Sequence, residues 1–167
     1  IGAHLIRALL DAGHNVRAVV RSPDRARRLE SWGVELAVAE LSDREALQTA
    51  LSGCQQLYHM AACATVWERQ SETYFNVNAH GTDNVLRAAK CAGVERVVVT
   101  SSGGVMGPSV SGVVSEEKPR DLNYFNAYEA SKAASDLVVL RHVLEEGMHA
   151  VLVSPTRVFG PYLWGEP

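Results

Sequence analysis

At 167 residues, 47% of them hydrophobic, the chain has the length and apolar content of one globular domain with a core. A net charge of −3 offers no electrostatic footprint for nucleic acid or an anionic membrane, and no run reaches the ~18 apolar residues that a bilayer-crossing helix needs. Cys54, Cys63 and Cys91 form no C-x-x-C pair and the six histidines show no H-x-x-x-H spacing; this argues against a disulfide framework and a zinc site and fits a reducing, cytoplasmic setting.

In chain order, "IGAHLIRALLDAGH" is helical from its start: Leu5, Leu9 and Leu10 share a face, and Gly13 closes the helix. Residues 15–21 carry the β-branched Val16, Val19 and Val20 and read as a strand ending at Arg21. Pro23 and Asp24 suit a helix start, which places a helix over 24–31. A strand at 34–40 precedes a helix at 42–51, capped by Ser42 with Glu45 three residues on. A strand over 55–62 runs into a loop. A long helix at 71–92 follows, with Val77, Val85, Leu86 and Ala89 at helical spacing. Residues 94–102 hold four valines within six positions, the mark of a buried strand. A Gly/Pro/Ser-rich loop covers 103–122, then come a helix at 126–146 and a strand at 149–155. Strands alternating with helices mean βαβ units. The fold class is therefore α/β, a doubly wound parallel sheet covered on both faces.

Ligands of such sheets bind beyond the carboxyl ends of the strands. The groups at those ends are Arg21, Glu40, Ala61 and Ala62, Ser101 and Ser102, and Thr156. Tyr128 and Lys132 lie 26 and 30 residues after Ser102, near a helix start, and at i and i+4 they share a helix face. The chain has 13 arginines but only three lysines, so a Tyr-x-x-x-Lys pair is uncommon by chance. A phenol with the usual pKa of about 10 is a poor base at neutral pH. An ammonium ~6 Å away at an effective dielectric of ~20 favours phenolate by up to ~3 kcal/mol, or ~2 pKa units. That brings a phenol within range of acid–base work on an alcohol or carbonyl. Lysine, a compact charge with rotatable donors, can also reach ribose hydroxyls. A nearby serine hydroxyl can hold the substrate oxygen.

Over nearly its whole length the chain resembles the extended short-chain dehydrogenase/reductase family of NAD-dependent epimerases, dehydratases and dihydroflavonol reductase-like enzymes. The resemblance rests on "IGAHLIRALLDAGHNVRAVVR", "HMAA", "NAHGTDNVLRAA", "VVVTSSGGVMG", "YEASK" and "SPTRVFGP", in that order. It implies a Rossmann fold in which Ser102 is the catalytic serine, Tyr128 the general acid/base, Lys132 its partner, and Asn78 a supporting asparagine. The family opens with a strand and a Gly-x-x-Gly-x-x-Gly turn for the pyrophosphate. Of these only Gly2 has a counterpart, as the third glycine, so the resemblance marks a fragment lacking the first strand and its glycine turn. The substrate-gripping C-terminal region is likewise expected to lie after 167.

Where NAD-type enzymes carry an acid for the ribose 2′-hydroxyl, this chain has Arg21 with Ser22 and Arg25 nearby, which suits a 2′-phosphate and hence NADP, with NAD as the alternative. Glu40 and Leu41 resemble the adenine-pocket Asp-Leu, Ala61 and Ala62 allow close approach of the cofactor, and Pro155 and Thr156 resemble residues flanking the nicotinamide, where Lys132 also meets the ribose. Sugar dehydratases of the family need an Asp-Glu pair after the serine; Gly103 and Gly104 stand there instead. Reductase-like hydride transfer on a carbonyl or alcohol of a small-molecule substrate is the leading expectation. The alternatives are a sugar epimerase using transient oxidation and a non-catalytic NADP-binding sensor. A homodimer through the helices at 71–92 and 126–146 is also expected.

Overall fold

The computed structural model describes residues 1–65, 70–107, 112, 115–116 and 123–160; most of the second half of the 103–122 loop, together with Pro161, therefore lies outside the described residues. In chain order the elements are α1 (Gly2–Asp11), β1 (Arg17–Val20), α2 (Pro23–Glu30), β2 (Glu35–Val38), α3 (Arg44–Leu51), β3 (Gln56–His59), α4 (Ser71–Phe75), a π-helical turn (Asn76–His80), α5 (Gly81–Ala92), β4 (Arg96–Thr100), a 3-10 turn (Gly103–Met106), α6 (Ala127–Glu146) and β5 (Ala150–Val153). Every strand pair is parallel. The expected α/β architecture is present, with each element close to its predicted place.

Two local expectations are corrected. The N-cap of α3 is Asp43, not Ser42: Asp43 Oδ1 accepts from the Ala46 amide at 3.0 Å. Both residue types can cap, and Ser42 sits instead in the turn before the helix. The helix at 71–92 is also not uniform, because its middle widens into the π turn that carries Asn78.

Among the described residues the strands form two sheets, β1–β2 and β3–β4–β5. Leu47 and Leu51 of α3, Val85, Leu86 and Ala89 of α5 and Val139 of α6 close over Val97 and Val99 of β4, forming the core. Each such fully buried aliphatic side chain contributes about 1.5–3 kcal/mol. The expectation of cover on both faces fails at Val38, Val151 and Val153, which are exposed: the helices packed on β3–β4–β5 take only the face carrying Val97 and Val99. Helix α1 buries no residue; its Arg7 guanidinium stacks 4.4 Å from the Trp32 ring centroid. Between the two sheets runs a cleft of about 1650 Å³, into which α1 presents Leu5, Ile6, Leu9 and Leu10.

Helices α5 and α6 are stapled by Asp83, whose carboxylate accepts from Arg87 Nε (2.8 Å), from Arg141 and from the fully buried His142 Nε2 (2.8 Å). Burial alone raises an acid's pKa, but the Arg87 and His142 hydrogen bonds outweigh it and hold the Asp83 carboxyl below its usual range. No helix among the described residues is long and apolar enough to cross a membrane.

Candidate active site

The edge where a ligand is expected is the carboxyl end of β4. Strand alternation turns Ser101 inward: it is buried, and its hydroxyl has no hydrogen-bond partner among the described residues. Ser102, half-buried, is left at the edge. Its Oγ accepts from the Gly104 amide at 3.2 Å, capping the 3-10 turn. The O–H remains available to donate.

Tyr128 stands in the first turn of α6. Asn126 caps that turn, its Oδ1 accepting from the Glu129 amide at 2.8 Å, while Glu129 Oε2 accepts from the Phe125 amide at 3.0 Å. The Asn-x-x-Glu spacing is a capping signature that the sequence carries but the reading above did not use. The same turn presses on the β4 exit. The first side-chain carbon of any residue replacing Gly104 would lie 2.9 Å from Glu129 Cγ, and at Gly103 it would lie 2.7 Å from Thr156 Cγ2. The two glycines are thus places of close approach between the serine's loop, α6 and the segment after β5. The Gly103 amide also donates to Pro155 O at 2.8 Å. Pro155 and Thr156 therefore sit beside the Ser102 turn.

Lys132 is only 3% exposed, and its Nζ donates to Thr100 O at 2.8 Å, two residues before Ser102. Burial pulls its pKa below the usual lysine value, a shift opposed by the Asp136 carboxylate one turn on. Ser102, Tyr128 and Lys132 consequently share one end of β4.

Asn78 is fully buried and wholly engaged. Its Oδ1 accepts from the Cys63 amide (2.7 Å), and its Nδ2 donates to Cys63 O (3.1 Å) and Ser131 Oγ (2.8 Å). It ties the loop leaving β3 to α6. π turns concentrate at functional sites, and this one aims Asn78 between the two.

Beneath lies a polar seam that sequence reasoning missed, having treated His59 as ordinary. Thr82 Oγ1 donates to Asn78 O at 2.6 Å, so its contacts with Ser135 Oγ (3.1 Å) and His59 Nε2 (3.0 Å) are ones it accepts. His59 thus carries its proton on Nε2. Burial, then the Lys132 ammonium, lower its pKa from 6.5 to about 4. An unfolded histidine takes up a proton near pH 6.5, whereas the folded one resists until about pH 4. Stability present above pH 6.5 is therefore lost as pH falls towards 4, by about 3 kcal/mol over the whole window. Urea unfolding of the full-length protein at pH 7 and pH 4.5 should show this loss, and His59→Gln should flatten it. An unchanged slope in His59→Gln would assign the acid sensitivity elsewhere.

Of the expected cofactor residues, Gly2, Arg21, Glu40, Leu41, Ala61 and Ala62 all line the cleft between the sheets. Ser22 is the N-cap position of α2, with Arg25 in its first turn. Neither Arg21 nor Arg25 makes a hydrogen bond or ion pair among the described residues, so two cations at the end of β1 stand ready for an anion. Leu41 is fixed in the wall: its carbonyl accepts from Asn84 Nδ2 at 2.9 Å, and its side chain packs against Gly81. Gly2 has open space where a side chain would start, so nothing in this structure requires glycine there. The residues present fit the adenosine half of a dinucleotide, and the donor set for the pyrophosphate amounts to the start of α1.

Known proteins resemble this chain in sequence and in fold. Residues 1–167 match the NAD dependent epimerase/dehydratase family. The chain is 34% identical over 164 residues to a putative dihydroflavonol 4-reductase of Synechocystis, covering 97% of this chain and 47% of that protein. It is 35% identical over 163 residues to sterol demethylase protein B of Methylococcus capsulatus, covering 97% and 49%. The chain thus spans about half the length of the curated relatives it matches. A short-chain dehydrogenase/reductase superfamily protein of Agrobacterium tumefaciens, solved with bound NAD, superposes with a TM-score of 0.79 at 28% identity over 92% of this chain and 45% of that one. A dTDP-glucose 4,6-dehydratase of Streptomyces venezuelae, also with NAD, gives 0.79 at 26% identity over 90% and 51%. A family match over residues 1–167, relatives more than 30% identical over nearly the whole chain and a shared parallel-strand fold agree: the chain belongs to the NAD dependent epimerase/dehydratase family, the extended short-chain dehydrogenases/reductases.

Proposed function

We propose that the protein is an NADP-dependent reductase acting on the carbonyl or alcohol of a small molecule. The observation that carries this reading is the gathering of Ser102, Tyr128 and Lys132 at one end of β4, beside the cleft lined by Arg21 and Ala61. A nicotinamide held along this cleft would supply or accept the hydride. Ser102 donates a hydrogen bond to the substrate oxygen, Tyr128 gives that oxygen its proton in reduction or takes it in oxidation, and Lys132 supplies the neighbouring positive charge. Relatives named as a reductase and, in Mycolicibacterium neoaurum, as a 3-beta-hydroxysteroid dehydrogenase support net oxidoreduction. The crowding at Gly103 and Gly104 speaks against the acidic pair of a sugar dehydratase, because neither side chain fits without moving Thr156 or Glu129. The unbridged thiols of Cys54, Cys63 and Cys91 suit a cytoplasmic setting.

The test is NADPH consumption by the full-length protein against a panel of ketones and aldehydes. Stoichiometric oxidation of NADPH with alcohol formed supports the reductase. Cofactor that stays bound while a sugar epimer forms supports the epimerase instead, and binding without turnover supports a sensor. For cofactor choice, Arg21→Asp should weaken NADP by about 1.5–3 kcal/mol, the value of a lost charge-assisted contact, and shift preference towards NAD. Titration with both cofactors reads this directly. An unchanged ratio would leave Arg21 a solvated turn residue.

A further inference from the structure

We propose that Tyr74 is a positioning residue for the catalytic phenol and for the loop that leaves β3, an inference that rests on Tyr128 acting as described above. Tyr74 lies on α4, which packs against α6, and it is 5% exposed. Its ring meets that of Tyr128 edge to face, with centroids 6.3 Å apart and planes at 67°. Tyr128 stands in the first turn of α6 and is only half-buried. Among the described residues one side of its ring is therefore uncovered, and rotation about its first side-chain bond would carry the phenol away from the proposed position of the substrate oxygen. The buried ring of Tyr74 limits that rotation.

The hydroxyl of Tyr74 does a second job. It donates to Thr65 O at 2.7 Å. One turn later, Asn78 grips Cys63 at both its amide and its carbonyl. These two residues of α4 and its π turn thus hold the segment 63–65, which continues directly from Ala61 and Ala62 on the cleft wall. Each also touches the catalytic helix, Tyr74 through the Tyr128 ring and Asn78 through Ser131 Oγ. The ring of Tyr74 serves the proton donor, and its hydroxyl serves the cofactor wall.

The two roles separate in a substitution series in the full-length protein. Tyr128→Phe comes first: if it keeps wild-type turnover, the proposed function has failed, independently of Tyr74. With that established, Tyr74→Phe keeps the ring and removes the tether. It should raise the cofactor KM by about 2–10-fold, as loss of one hydrogen bond does, and leave kcat within about twofold. Tyr74→Leu removes the ring as well and should lower kcat by about 10–100-fold, the cost of a misplaced reacting group. Tyr74→Phe, read against Tyr74→Leu, is then the rescue of kcat by the conservative variant. Should Tyr74→Leu not fold, Tyr74→Met refills the ring's volume and is read the same way. The Tyr74→Phe arm decides in either event. A Tyr74→Phe protein whose kcat falls with an unchanged KM, or in which neither constant moves, overturns the proposal. So does a folded ring-less variant with wild-type kcat.

Discussion

Tyr128→Phe in the full-length protein lowers turnover by about 10²–10⁴-fold and leaves cofactor affinity within about twofold. The substitution takes away only the O–H proposed to exchange a proton with the substrate oxygen: the ring remains packed against Tyr74, and the Asn126 cap still fixes the turn. Lys132→Ala damages both constants. Its ammonium is buried and donates to Thr100 O at 2.8 Å, so truncation removes the positive charge at this end of β4 together with that hydrogen bond, and leaves a space where the buried side chain stood. Loss of a hydrogen bond from a charged group costs about 1.5–3 kcal/mol, so the lysine variant should also melt earlier. Steady-state rates and cofactor titration separate the two. Wild-type turnover by Tyr128→Phe would sink the acid–base assignment.

Why the phenol and the ammonium could be found in the sequence, and their supports could not, follows from what each depends on. Tyr128 and Lys132 are related by one helical turn, and helical periodicity survives in the bare sequence. The end of β4 was legible because a run of valines marks burial; the regular strand is shorter than the 94–102 read from the sequence, at Arg96–Thr100, although the Ser101 amide still donates to Val153 O at 2.7 Å. Contacts across the sheet have no such signature. Glu129 over Gly104, Thr156 over Gly103 and Thr82 under His59 join residues tens of positions apart, through the way loops and helices settle on one another. The π turn is likewise invisible: one extra residue in a helical turn breaks the period without announcing where, yet that insertion aims Asn78 at Cys63 and Ser131. Asp43 displaced Ser42 as a cap for a related reason, since two adjacent residues were chemically competent and only the backbone entry angle chose. Ser101 and Ser102 were both legible as ending the strand, and only the family resemblance chose between them; the structure buries Ser101 and leaves Ser102 half-buried at the edge.

Residues 1–167 expressed alone should bind NADP(H) undetectably and be poorly soluble. The geometry behind this is the division of the parallel strands into β1–β2 and β3–β4–β5, with the cleft of about 1650 Å³ between them. In doubly wound sheets a further strand is central, flanked by the counterparts of β1 and β3. Without one, β1 and β3 each present an unpaired hydrogen-bonding edge in the middle of an apolar sheet, a state that natural proteins avoid because it templates association with other chains. Helix α1 suffers too: Leu5, Ile6, Leu9 and Leu10 face the cleft and none is buried, so the helix that should offer its start to the pyrophosphate is held mainly by the stacking of Arg7 on Trp32. Arg21, Glu40 and Ala61, the cofactor's expected contacts, line the same cleft from both sheets, and their spacing depends on what fills it. Adding an upstream strand with a Gly-x-x-Gly-x-x-Gly turn before Ile1 pairs both edges, buries the leucines of α1 and supplies the missing amides, so it should restore cofactor binding even before any C-terminal region is added. Calorimetry with NADPH on the two proteins decides the matter. Micromolar binding by the bare 167 residues would show that the two sheets hold their spacing unaided and that Gly2 and the start of α1 suffice for the pyrophosphate.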